Sequence, residues 1–364
     1  MKKTALFPLF LLLCLSLTAC GGSKSISGEV VDVLQTAEND TVLVLQPASG
    51  DPVGLCLDAD AHIFGGPDGF DSSAYEAAPH TGVELNASVK GPADTLTTAA
   101  GNTLKLYHVQ DQWIYVEACL TEDAYTLSDG TPLDIWESSW NDVRYQLKNG
   151  TELLREDNPF DPENVSVGSL EDYDALSPAA QAAVTKFYAN QGKLYDLDAM
   201  LEQAYAEYQA APESFCSYWV FQDTSSDASS QQVMYFSTNL TVCVAQEPGL
   251  SDSYVQTQYF SIQTAFDRET GKVIPAADLF TCPVDQLGEK LLNTVDWLKK
   301  DPVKEEMIDA FSLDYLSVSQ DGIYMVFPAG SLPSQELEYH VGADLTDDCR
   351  ALLQPWAVPT APEP

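Results

Sequence analysis

Between Ile26 and Leu120 the chain repeats one pattern: short runs in which apolar residues fall at every second position, each closed by turn-forming residues. A period of two places successive side chains on opposite faces of an extended backbone, so this stretch folds as strands with one buried face. The runs are Gly28–Leu34, Thr41–Gln46, Val53–Ile63, Val83–Lys90 and Leu104–Glu117. Glu38-Asn39-Asp40 reads as the hairpin turn between the first two. Gly65-Gly66-Pro67-Asp68-Gly69 makes a loop after the third, and Ser72–Ala78 a short helical stretch before the fourth.

Five strands with a helix between the third and fourth follow the layout of an OB-type barrel, with a generic small β-barrel or sandwich as the alternative. The third and fifth strands are neighbours in that layout, so Cys56 and Cys119 are expected to form a disulfide. Beyond Leu120, Ser128-Asp129-Gly130-Thr131 and Lys148-Asn149-Gly150-Thr151 are turn signals between short β-rich runs and predict one or two hairpins. Ser177-Pro178 then opens a helix with a capping serine and a proline in the first turn, and Gly192 closes it. Asp196 caps a second helix, in which Leu197, Met200, Leu201, Ala204, Tyr205 and Tyr208 recur at helical spacing until Pro212. Tyr218–Gln222, Val233–Phe236, Thr241–Ala245 and Gln258–Phe266 read as strands and Val284–Lys299 as an amphipathic helix. A hairpin turns at Asp321-Gly322, and a closing helix lies near Asp347–Leu353.

The expected fold class is therefore α+β: an N-terminal five-stranded OB-like β-barrel, then an α+β domain with a helical hairpin and an antiparallel sheet. The expected divisions are a signal peptide over 1–19, a tether over 20–25, the barrel over 26–120 and a β-hairpin connector over 121–176. The α+β domain then spans 177–356, and a Pro-rich tail covers 357–364.

The N-terminus carries Lys2 and Lys3, an apolar run from Ala5 to Leu17, and then Leu17-Thr18-Ala19-Cys20. The run is shorter than the ~20 apolar residues of a membrane span and reads as a secretory signal. Its end resembles the lipobox of bacterial lipoproteins, which implies that Cys20 is acylated and anchors the chain on the extracytoplasmic face of a bacterial cell membrane. An ordinary signal peptide with an incidental cysteine is the alternative. Gly21–Ser25 then serves as a flexible tether.

Loss of Lys2 and Lys3 with the signal leaves 15 basic against 55 acidic residues, a net charge of −40. Such a field excludes nucleic acid as a partner and draws in cationic proteins and peptides. Six cysteines remain besides Cys14 and Cys20: Cys56, Cys119, Cys216, Cys243, Cys282 and Cys349. Outside the cytoplasm an even number reads as disulfides, here Cys56–Cys119, Cys216–Cys243 and Cys282–Cys349.

In the last third, Phe266-Asp267-Arg268-Glu269-Thr270-Gly271-Lys272, Asp278-Leu279-Phe280 and Asp321-Gly322-Ile323-Tyr324 stand in sequence. This succession resembles an extracellular domain of unknown function that ends some membrane-anchored polysaccharide deacetylases and forms the sensor of lysozyme-responsive anti-sigma factors. Ser253-Tyr254-Val255-Gln256 replaces the family's Gly-Gly-Ala-His stretch, and Pro328–Pro333 departs from its proline-rich segment. No ligand-binding residue is carried over from the family. The turn residues are structural: Gly271 supplies positive φ and Asp267 bonds the turn backbone.

No catalytic or cofactor motif is present. The four histidines, His62, His80, His108 and His340, have no metalloprotease spacing, and Ser-x-x-Lys and Gly-x-Ser-x-Gly are absent. Asp58, Asp60, Asp68 and Asp71 are oxygen ligands that a calcium ion would accept, although an acidic loop of this kind is commonly only solvated. Trp136 and Trp140, four apart, either stack on sugar or pack in a core. The function expected is a lipid-anchored, non-enzymatic binding or sensing protein for a cationic protein or peptide. The alternative is an enzyme or accessory acting on peptidoglycan or another cell-wall glycan.

Overall fold

The computed structural model describes residues 24–36, 41–57, 62–65, 81–98, 101, 103–138, 140–163, 165, 167, 176–249 and 253–360. The expected signal peptide, Cys20, the expected turn at Glu38–Asp40, Asp58, Asp60, Asp68, Asp71 and the expected helical stretch Ser72–Ala78 lie outside these. The chain forms two compact units divided between Thr151 and Glu152.

The first unit contains β1 (Lys24–Gln35), β2 (Thr41–Gln46), β3 (Val53–Leu57), β4 (His62–Gly65), β5 (Val83–Thr97), β6 (Thr103–Thr126), β7 (Pro132–Ser138) and β8 (Asp142–Leu147). β1 lies antiparallel to β2 and β5, β3 antiparallel to β2 and parallel to β6, and β5 antiparallel to β6. Alternation along each strand decides what is buried. Leu43, Leu45, Leu55, Leu57, Leu85 and Ile114 share one core, whereas Val42, Cys56 and Leu106 form a small separate cluster.

The separate OB-like barrel is not what these strands build. In the first unit the strands hydrogen-bond in the order β8-β7-β6-β3-β2-β1-β5, with β4 on β6. The β5–β6 pairing makes a single ring of β1, β2, β3, β6 and β5, with no closed barrel standing as a domain. The cause is the length of β6, which runs for 24 residues. Its first part serves the ring, and from Ala118 to Thr126 it pairs with β7, which pairs in turn with β8. A strand shared in this way carries the ladder on past the ring, so the ring does not stand apart as a barrel domain.

The second unit begins with β9 (Glu152–Asp157), followed by the helical hairpin α1 (Pro178–Gln191) and α2 (Leu197–Ala210). The caps act as read from the sequence. Ser177 Oγ accepts from the Ala180 amide at 3.1 Å and Asp196 Oδ1 from the Ala199 amide at 3.0 Å, each worth ~1 kcal/mol. Next come β10 (Tyr218–Ser229), β11 (Val233–Ala245), β12 (Tyr254–Asp267) and β13 (Val273–Ile274), then α3 (Val284–Thr294) and α4 (Val303–Ala310). β14 (Leu316–Val318), β15 (Gly322–Phe327) and β16 (Tyr339–Asp344) form a three-stranded sheet, and α5 (Asp347–Arg350) closes the unit.

β11 is the middle of this unit. Its Met234 and Phe236 pack with Val184 and Tyr188 of α1, while Val233 and Tyr235 join a core that includes Leu287, Leu291 and Phe327. The helix expected over Val284–Lys299 ends at Thr294, and Asp296–Lys300 forms a 3-10 turn instead. Val295 and Leu298 remain buried, so the apolar spacing is satisfied by a turn as well as by a helix. Gly271 has φ 66°, and a Cβ there would stand 2.6 Å from the Ala180 carbonyl oxygen. Asp267 accepts from the Thr270 amide at 2.7 Å and from its hydroxyl at 2.6 Å, and these bonds hold its carboxyl below the usual carboxylate range.

No disulfide is formed among the described residues. Cys56 packs with Val42 and Leu106, whereas Cys119 packs against the other core, so alternation sends the two sulfurs to different clusters. Cys216 precedes β10, and its thiol points to the Ser214 carbonyl; Cys243 is buried opposite Trp219. Cys282 and Cys349 touch the same core as thiols, and burial pushes the Cys349 thiol up to about 11.

Candidate binding face

The polar residues of the second unit collect on one face of β10, β11 and β12. Register aligns Asp223 with Asn239 and Ser261, and Ser225 with Ser237 and Gln263. A bulge between Ser226 and Ala228 accompanies the approach of Asp227 to the same side chains. Ser237 Oγ donates to Asp227, and Gln263 Nε2 donates to the same carboxylate at 2.6 Å. Gln263 is fixed in turn, accepting from the Val318 amide at 2.6 Å and donating to the Val318 carbonyl at 2.9 Å. Asn239 Oδ1 accepts from the hydroxyls of Tyr259 at 3.0 Å and Ser261 at 2.9 Å, and its Nδ2 reaches Asp223 at 3.5 Å.

Burial raises the pKa of Asp223 and Asp227 above the ordinary carboxylate value. The hydrogen bonds from Ser237 and Gln263 pull Asp227 back, and the Asp223 charge pushes it up again. Burial also raises Tyr259, with the negative charges of Asp223, Asp227 and Glu338 adding to it. Neither aspartate has an ion pair with Lys or Arg among the described residues. The face is thus a hydrogen-bonded strip with two half-buried carboxylates and no paired cation among the described residues.

Glu156 shows the opposite arrangement. It is 1% exposed, forms an ion pair with Lys193 and accepts from the Tyr195 hydroxyl. Gln222 beside it on the sheet accepts from the Leu194 amide at 2.8 Å and donates to the Gly192 carbonyl at 3.1 Å. This cluster ties the α1–α2 turn to the sheet and is satisfied internally.

The sequence-derived sites fare differently. Trp136 is 6% exposed, with the Arg144 guanidinium 5.7 Å from its ring centre, while Trp140 is 82% exposed in the β7–β8 turn. They do not form a pair. The calcium candidates Asp58, Asp60, Asp68 and Asp71 and the lipidation candidate Cys20 fall outside the described residues. Among the described residues no group of three His, Cys, Asp or Glu is gathered as for a metal ion. The Asp223–Asp227 strip was missed because the sequence-derived strands stop at Gln222 and Phe236, where the polar residues begin. The usable signal was alternation within Asp223, Ser225 and Asp227.

Solved structures similar to this chain include two proteins of the DUF3298 family. One, from Bacteroides fragilis, is 11% identical with a TM-score of 0.29, the match covering 66% of this chain and 93% of that one. The other, from Pseudomonas aeruginosa, is 11% identical with a TM-score of 0.27, covering 67% and 96%. At that similarity the likeness carries no functional argument. No family model matches the chain, and no curated protein matches it.

Proposed function

We propose that the chain is a lipid-anchored extracytoplasmic protein that binds or senses a cationic protein or peptide without catalysing a reaction. The observation that carries this reading is the pair of half-buried carboxylates, Asp223 and Asp227, held by neutral donors and lacking a cation. A Lys or Arg side chain from a partner supplies the missing charge, and the net charge of −40 left after loss of Lys2 and Lys3 steers it in. The anchor rests on Leu17–Cys20. The alternative, an enzyme on cell-wall glycan, draws support from the exposed Trp140 but less from the aspartates.

The test is binding of the mature protein to lysozyme and to an arginine-rich peptide at about 50 and about 300 mM salt. Binding that weakens with salt and falls ~10-fold in Asp223→Asn/Asp227→Asn is expected. Binding untouched by the double substitution, or absent for both probes while cell-wall fragments are retained, would overturn the reading.

A further inference from the structure

The first unit holds a cavity of the opposite polarity. It has a volume of about 430 Å³ and lies between the beginnings of β1, β3 and β6 and the Pro47–Pro52 turn. Three features of the fold bring its walls together. β1 starts at Lys24, the parallel β3–β6 ladder sets Val53 against Lys105, and Tyr107 lies two residues further along β6. Lys24 Nζ stands 5.1 Å from the centre of the Tyr107 ring, and that ring is buried as part of the core. Lys24 and Lys105 both line the cavity, together with the hydroxyls of Ser27 and Thr103; its one acidic lining residue is Asp51.

Some cations of this acidic chain are neutralised by carboxylates. Arg144 meets Glu84, Lys148 meets Asp134, Lys193 meets Glu156 and Lys299 meets Asp296. Lys24 and Lys105 have no acidic partner among the described residues. Two unpaired ammonium groups beside hydroxyl donors on one concave surface form a site for an oxyanion, with lysine acting as a point charge.

Position says which oxyanion. Lys24 follows Cys20 by four residues, and four residues span at most ~14 Å when fully extended. If Cys20 carries lipid, the mouth of β1 is held within reach of the headgroup layer. The rest of the chain, at −40 after signal removal, is repelled by an anionic surface. We propose that the Lys24–Lys105 cavity takes the phosphate of an anionic lipid headgroup and so fixes which end of the first unit faces the membrane. This rests on the reading of Cys20 as the lipid-bearing residue.

The experiment is amine footprinting of the full chain, purified from membranes. An impermeant acylating reagent is applied in detergent, in phosphatidylglycerol vesicles and in vesicles of a phosphate-free neutral glycolipid. In phosphatidylglycerol, Lys24 and Lys105 are expected to label about 5-fold more slowly than in detergent, the effect of one lysine near an anionic leaflet. Lys148 and Lys299 serve as exposed controls and are expected to be unchanged. Protection fades with salt, and Lys24→Glu removes the protection of Lys105. Equal labelling in all three media overturns the proposal, and so does protection in the glycolipid vesicles. Protection by free glycerol phosphate in detergent, equal to that in phosphatidylglycerol, overturns the lipid assignment in favour of a soluble phosphate ligand. The intact mass of the same preparation reports acylation of Cys20 separately. An unacylated Cys20 therefore sinks the anchor reading, while the footprint still decides whether the two lysines meet headgroups.

Discussion

The aspartate strip of β10–β12 and the lysine cavity of β1, β3 and β6 both present unpaired charge, but they are built in different ways. Asp223 and Asp227 are half-buried, each reached by a neutral donor, and their acidity is shifted by that burial. Lys24 and Lys105 are exposed, and Lys24 rests on the buried Tyr107 ring. A charge embedded in a network affects folding, binding and pH response together, because its surroundings cannot rearrange cheaply. An exposed charge on a rigid rim affects binding and almost nothing else. The Glu156–Lys193 pair is a third case in which the fold supplies both partners.

The largest expected contrast is in stability. Lys193→Met removes the cation from Glu156, which is 1% exposed and accepts from the Tyr195 hydroxyl. Stranding a buried carboxylate in this way costs ~3 kcal/mol. Lys105→Met, on an exposed rim with no ion pair among the described residues, is expected to stay within ~0.5 kcal/mol of the parent. Urea unfolding followed by circular dichroism measures both. A Lys105→Met variant as destabilised as Lys193→Met would break the distinction between networked and exposed charge.

Next in size is selectivity between ligands. Asp223→Asn/Asp227→Asn should weaken a cationic peptide by ~10-fold while leaving the lysine footprint on vesicles unchanged, and Lys24→Gln/Lys105→Gln should do the reverse. Binding isotherms of each double variant against both probes check this. Cross-effects of similar size would mean that the two regions act through overall charge alone and that neither is a site.

Legibility in the sequence divides along similar lines. Features fixed by a few adjacent residues were readable: the Ser177 and Asp196 caps, the Gly192 helix end and the Asp267–Lys272 turn. Features fixed by partners far along the chain were not. Alternation identified the start of β6 as a strand, but nothing local says that it continues to Thr126 and pairs with β7 as well as β5. The same blindness hid the aspartate strip. A run such as Asp223-Thr224-Ser225-Ser226-Asp227 has loop composition, and only pairing with Ser237–Asn239 makes it strand. Trp136 and Trp140 suggested a pair by spacing, yet the turn with Asn141 at φ 62° turns one out to solvent while β7 buries the other.

The smallest expected effect concerns pH. Burial raises the folded-state pKa of Asp227 above its unfolded value of ~3.9. A group shifted upward is more readily protonated in the folded state, so its contribution favours folding below the unfolded pKa. That contribution is lost as pH rises through the folded pKa. Asp227→Asn removes this titration while keeping an oxygen able to accept from Ser237 and Gln263. The variant is therefore expected to be more stable than the parent at neutral pH, and the gap should close as pH falls through the raised Asp227 pKa toward ~4. Lys24→Gln, measured alongside by urea midpoints at each pH, should run parallel to the parent over this range, since it alters no buried acid. A gap that widens on acidification would mean that the Ser237 and Gln263 donors outweigh burial. The carboxylate would then be stabilised within the fold and would have little unmet charge to offer a cationic partner.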